Sequence, residues 1–192
     1  MTLYFEVIMT EANLLKGTLI STPQPWNYGK YKLTLVEKHN DSPYTVMITG
    51  VPFNSVLIKL DESKIDVSGF FGRESNNGIN QKADYILIDN ESHKILFIEL
   101  KSGTSLDHKH IKQQLTGAKC LFEYMRCLME EFFNVNQPFN QYSFKYFAIA
   151  HQHSKKRCSH TSREEQRTMG STADKFRIIQ MSNKIRYDTS FK

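Results

Sequence analysis

Three charged side chains interrupt two strongly apolar segments. Asp84 lies in Lys82-Ala83-Asp84-Tyr85-Ile86-Leu87-Ile88, and Glu99 and Lys101 lie in Ile95-Leu96-Phe97-Ile98-Glu99-Leu100-Lys101. Burying a charge is costly unless it is paired or binds a metal. Strand side chains alternate between faces, so Glu99 and Lys101 share one. If the polar run 89–94 is a hairpin loop, Ile88 faces Ile95, and counting outward sets Asp84 opposite Glu99. Facing residues carry Cβ atoms about 4.5–5.5 Å apart. Two carboxylates at that separation repel unless a cation lies between them. Magnesium suits such a site, since it takes one or two carboxylates and completes its shell with water and substrate phosphate. Lys101, beside the pair, could orient water or stabilise charge during phosphodiester hydrolysis. The plainer alternative is a structural ion pair of Glu99 with Lys82 or Lys101.

The elements that must position these residues follow from periodicity. After the Glu99 strand, Asp107 is a suitable N-cap. Apolar residues then recur at Ile111, Leu115, Ala118, Phe122, Met125, Leu128, Met129 and Phe132, the spacing of a long helix with one face packed on a sheet. Gln114 lies at the edge of that face. Short β-branched and aromatic runs at 31–36, 44–48, 55–60 and 64–67, bounded by Asn, Asp, Pro and Gly, predict strands. Residues 2–16 fit either a helix or a strand with a helical turn, and 72–81 is a polar loop. Residues 145–150 and 176–180 predict two further strands. The order strand, strand, long helix, strand argues for an α/β domain with a mixed sheet.

The chain has 192 residues, 40% of them hydrophobic and 23% charged, which suits one folded domain and argues against disorder. No apolar run reaches the ~18 residues of a membrane span, and the start lacks a basic signal region. Cys120, Cys127 and Cys158 form no disulfide pattern. A reducing cytoplasm is therefore expected, with Cys120 and Cys127 as small core or boundary residues. The net charge of +5 is concentrated at the end: residues 151–192 hold ten Lys or Arg against four Asp or Glu. A basic segment beside an acidic site suits a polyanionic substrate.

Asp84, followed after fourteen residues by Glu99-Leu100-Lys101, resembles the signature of the PD-(D/E)xK nuclease superfamily, which includes restriction enzymes. The resemblance covers about residues 55–150, with Phe97-Ile98-Glu99-Leu100-Lys101-Ser102-Gly103 and Gln113-Gln114-Leu115 carrying its local flavour. It implies a restriction-endonuclease-like α/β core: a mixed β-sheet flanked by helices, here with extra N-terminal β segments, in a single domain over 1–192. It further implies Mg²⁺ or Mn²⁺ held by Asp84, Glu99 and the backbone carbonyl of Leu100, with Lys101 catalytic and Gln114 ordering the site. Many members carry an acid on an upstream helix, for which Glu11 is the first candidate and Glu62 and Glu74 are alternatives. Ala83 stands where the name-giving proline would be. Ala118 stands where exonuclease-like subfamilies have an aromatic residue, so an endonuclease is the expected activity. DNA is the expected substrate, with RNA an alternative. A non-catalytic protein of this fold, binding nucleic acid or a protein partner, is a rival, and a homodimer is compatible with both.

Two further groups belong to the C-terminal segment. Lys155, Lys156, Arg157, Arg163 and Arg167 could contact phosphates, or form a solvated basic loop. His151, His153, Cys158 and His160 are four candidate zinc ligands. Their spacing matches no common zinc module, and three basic residues lie among them, so a basic loop is the preferred reading.

Overall fold

The computed structural model describes residues 19–37, 44–60, 78–101, 106–150, 169–180 and 182–191. Ten strands are present among them: β1 (Ile20–Ser21), β2 (Gln24–Pro25), β3 (Tyr31–Glu37), β4 (Tyr44–Val51), β5 (Val56–Lys59), β6 (Tyr85–Asp89), β7 (Lys94–Lys101), β8 (Ser143–Ala150), β9 (Arg177–Gln180) and β10 (Lys184–Arg186). The long helix α1 spans His108–Phe133, and a single turn, α2, spans Tyr187–Ser190.

The strands form two mixed sheets. The larger has the order β1-β5-β6-β7-β8-β9 and the smaller β10-β4-β3-β2. In the larger sheet β5, β6 and β7 are antiparallel neighbours, whereas β8 runs parallel to β7 and β9 parallel to β8. A parallel neighbour needs a crossover connection, and α1 supplies it between β7 and β8. Central strands covered on both faces are apolar throughout, which explains the unbroken Ile-Leu-Phe-Ile run of β7.

The alternation of β6 and β7 feeds two cores. Ile86, Ile88, Ile95 and Phe97 meet Ile111, Leu115, Ala118, Phe122 and Met129 of α1. Leu87, Leu96, Ile98 and Leu100 face the smaller sheet, meeting Leu33, Leu35, Val46 and Ile48. The expected flanking by helices is thus met on one face, while the second sheet covers the other. Phe132, assigned to the packed stripe from its spacing, is instead 75% exposed. It lies in the last turn of α1, beyond the sheet. Cys120 and Cys127 are also exposed, on the solvent side of α1, rather than core or boundary residues.

Asp107 caps α1 by accepting from the His110 N–H, and Asn134 ends it in the left-handed conformation. The β6–β7 loop is shorter than the polar run 89–94, because Asp89 still belongs to β6 and Lys94 to β7. Asp89 is fully buried and accepts from the backbone of Glu91 and Ser92 and from the Tyr187 hydroxyl. These bonds compensate the burial of its polar side chain and fix the hairpin end.

Candidate active site

Ile88 pairs with Ile95 and Tyr85 with Ile98, so one further step brings Asp84 opposite Glu99. Asp84 immediately precedes β6 rather than lying inside a strand over 82–88. Backbone bonds on both sides fix its position. Its carbonyl accepts from Leu60 N at 2.8 Å, and Ala83 N donates to the Gln114 carbonyl at 2.9 Å. Its side chain is held as well: Leu100 N donates to Asp84 Oδ2 at 2.6 Å. Because Asp84 continues the face of Ile86 and Ile88, and Glu99 that of Ile95 and Phe97, both acids lie on the α1 side of the sheet.

Glu99 is 1% exposed. Its Oε1 lies 2.6 Å from Lys101 Nζ, and the same ammonium donates to Gln114 Oε1 at 2.7 Å. Gln114 thus bonds to both flanks of the site, through its side chain to Lys101 and through its backbone to Ala83. The Oε2 atom of Glu99 is buried without a hydrogen-bond partner. Burial raises the Glu99 pKa to about 7, against the charge and hydrogen bond of Lys101 and the side-chain amide of Gln114, which lies close enough to favour the ionised form. Burial, followed by the charge of Glu99, raises that of Asp84 to about 8 against the Leu100 N–H. Without a cation the pair is therefore incompletely ionised at neutral pH.

A third carboxylate reaches this region from the other sheet. Glu37, at the end of β3, raises the pKa of both Asp84 and Glu99 through its charge. It faces Tyr44 across the β3–β4 pair. Burial first, then Glu37, raises the pKa of the Tyr44 hydroxyl, and Asp84 and Glu99 add to the rise. Glu37 Oε2 and Tyr44 Oη are both buried from solvent, and a hydrogen bond between the two side chains contributes to the rise at Tyr44. The Tyr85 hydroxyl ties this edge to β6 by donating to Val36 O at 2.7 Å and accepting from Val36 N at 2.8 Å. Glu37 and Tyr44 are absent from the sequence-derived site. The one available signal was their place at facing ends of two predicted β runs, and nothing local indicated where that hairpin would dock.

The donor set fits a hard divalent ion: two facing carboxylates, one with an orphaned buried oxygen, and the Leu100 backbone alongside. Among the described residues, however, no group of three or more His, Cys, Asp or Glu side chains is arranged to hold a metal. Glu37 thus contributes its charge to the site but does not complete such a group.

Glu11, Glu62 and Glu74 lie outside the described residues. So do Lys155, Lys156, Arg157, Arg163 and Arg167, and His151, His153, Cys158 and His160. No family model, curated protein or solved structure matches this chain. No helix among the described residues is long and apolar enough to cross a membrane.

Proposed function

We propose that this chain is a metal-dependent endonuclease of the PD-(D/E)xK type, hydrolysing phosphodiester bonds, with DNA preferred to RNA. The observation that carries this reading is a buried glutamate with an unpartnered oxygen, opposite a second carboxylate and in contact with a lysine. Asp84 and Glu99 would hold Mg²⁺ or Mn²⁺, with the Leu100 carbonyl as the adjacent backbone donor. Such an ion lowers the pKa of a bound water and offsets phosphate charge. Lys101 supplies a fixed positive charge to orient water or stabilise the developing negative charge. Gln114 keeps that ammonium at the site, and Leu100 N–H fixes the Asp84 carboxylate. β8 ends at Ala150, paired with Lys101 beside the site, and the sequence that follows Ala150 is basic. That favours a polyanionic substrate.

The test is incubation of wild type and Lys101→Ala with plasmid, single-stranded DNA and RNA in Mg²⁺, Mn²⁺ or EDTA. Wild type cleaves DNA only with metal, and Lys101→Ala loses about a hundredfold or more in rate while keeping its melting temperature within a few degrees. Wild-type rates from Lys101→Ala, or cleavage that survives EDTA, would overturn the reading. The Lys101–Glu99 ion pair favours a second reading, a non-catalytic nucleic-acid- or partner-binding protein in which the pair is structural. Calorimetric titration separates the two: Mg²⁺ or Mn²⁺ binding that requires Asp84 and Glu99 excludes the second.

A further inference from the structure

We propose that a groove at the opposite end of the sheets binds single-stranded nucleic acid. The groove encloses about 740 Å³ between the β2–β3 turn, the end of β4 and the C-terminal turn. Lys94, at its edge, begins β7, whereas Glu99 lies five residues on, about 17 Å away along the strand. The groove is therefore separate from the carboxylate site. It shares the substrate class of the proposed nuclease and asks nothing of its chemistry.

The aromatic walls are Trp26, Tyr28, Tyr31 and Phe53. Tyr28 is 96% exposed and Phe53 59% exposed. Tyr28 occupies the tip of a turn closed by Trp26 N to Lys30 O and Lys30 N to Asn27 O. Tyr28 (φ 58°) and Gly29 (φ 69°) are both left-handed, as in a type I′ turn. Asn or Gly is favoured at the first of these positions, and a bulky side chain there is strained. The fold thus holds an exposed aromatic ring in a costly conformation, with no ring partner among the described residues to repay the cost.

The cations are Lys30, Lys94, Lys184 and Arg186, against the carboxylates of Glu91 and Asp188. Arg186 is bonded to Asp188, and Lys184 lies 4.2 Å from the centre of the Trp26 ring. Lys30 and Lys94 have no ion pair among the described residues. Exposed ring faces beside unpaired ammonium groups match bases and phosphates together, the two features by which single strands are held without sequence preference. An acidic peptide would use the cations and leave the rings idle.

The test is fluorescence anisotropy on the full chain in EDTA, using labelled oligo-dT and oligo-U of about 15 nucleotides. A duplex of equal length, polyphosphate and polyglutamate serve as competitors. Both single strands, or one of them, bind, and Tyr28→Asn and Phe53→Ala each weaken binding about fivefold or more. Tyr28→Asn leaves the melting temperature unchanged or raises it by a few degrees, since Asn tolerates the turn, so its lost binding is not a folding defect. Wild-type affinity in both variants overturns the proposal. So does displacement by polyphosphate, polyglutamate or duplex as effective as by unlabelled single strand. If wild type cleaves DNA with Mg²⁺ but these variants bind normally, the groove is wrong and the nuclease reading stands. Sensitive binding without cleavage gives the converse.

Discussion

Glu99 and Asp84 each keep a carboxylate in surroundings that favour its protonated form. Burial is the main cause for both, and mutual repulsion adds to it for Asp84. In the unfolded chain both titrate near pH 4. Between about pH 4 and 8 the metal-free native state therefore binds more protons than the unfolded state, and its stability falls as pH rises. The stabilisation by protonation is complete below pH 4 and is lost through the folded values of about 7 and 8. Asp84→Asn should consequently raise the melting temperature of metal-free protein at pH 8, by about 2–4 °C for each kcal/mol recovered, and change it little at pH 5. Thermal melts in EDTA at both pH values check this, and a variant destabilised at pH 8 would refute the charge argument. The pairing of these acids was legible in the sequence because strand alternation and one hairpin fix it within sixteen residues. The contribution of Glu37 was not, since it rests on two strands that meet only through tertiary packing.

Helix α1 sets the site because it approaches the segment before β6 more closely than any side chain allows. A Cβ built on Gly117 would lie 1.7 Å from the Gln81 carbonyl oxygen, a backbone atom that cannot swing away. An exposed helical Gly→Ala change normally gains about 1 kcal/mol. Here an overpacking cost at or above the upper end of about 1–3 kcal/mol should outweigh that gain, with a net loss of about 2 kcal/mol, and the forced separation should strain the Ala83–Gln114 bond that positions Asp84. Denaturant titration of Gly117→Ala checks the sign, and a stabilised variant would show that the helix does not need this approach. Tyr85 performs the corresponding task between the sheets, since its hydroxyl satisfies both backbone groups of Val36. Tyr85→Phe leaves these partly buried groups unpaired, and the expected loss is about 1–3 kcal/mol, measured in the same titration; no loss would mean that water replaces the hydroxyl. Periodicity and the Asp107 cap made α1 readable in the sequence. The importance of Gly117 was hidden, because a glycine within a helix shows its purpose only when the backbone it touches is known. The three-residue β10 was missed for a similar reason, as its parallel pairing with β4 joins segments more than a hundred residues apart.

At the scale of the molecule, the two sheets and the long helix leave a buried carboxylate pair at one end of β7 and an aromatic, basic groove at the other. The acidic end is destabilising in isolation, so a divalent ion that binds it should repay part of that cost. Any ligand that binds only the native state stabilises by RT ln(1 + [L]/Kd), about 2.7 kcal/mol at a hundredfold excess over Kd. For a chain of this length that is about 5–10 °C in melting temperature. The ion must displace protons from the pair, so its effect should be larger at pH 8 than at pH 6. Differential scanning fluorimetry with Mg²⁺, Mn²⁺ and EDTA at both pH values measures this. Asp84→Ala and Glu99→Ala should each abolish the metal-dependent rise. An equal rise in those variants would place the ion elsewhere on the protein, and the carboxylate pair would then be a structural feature whose charge Lys101 partly offsets.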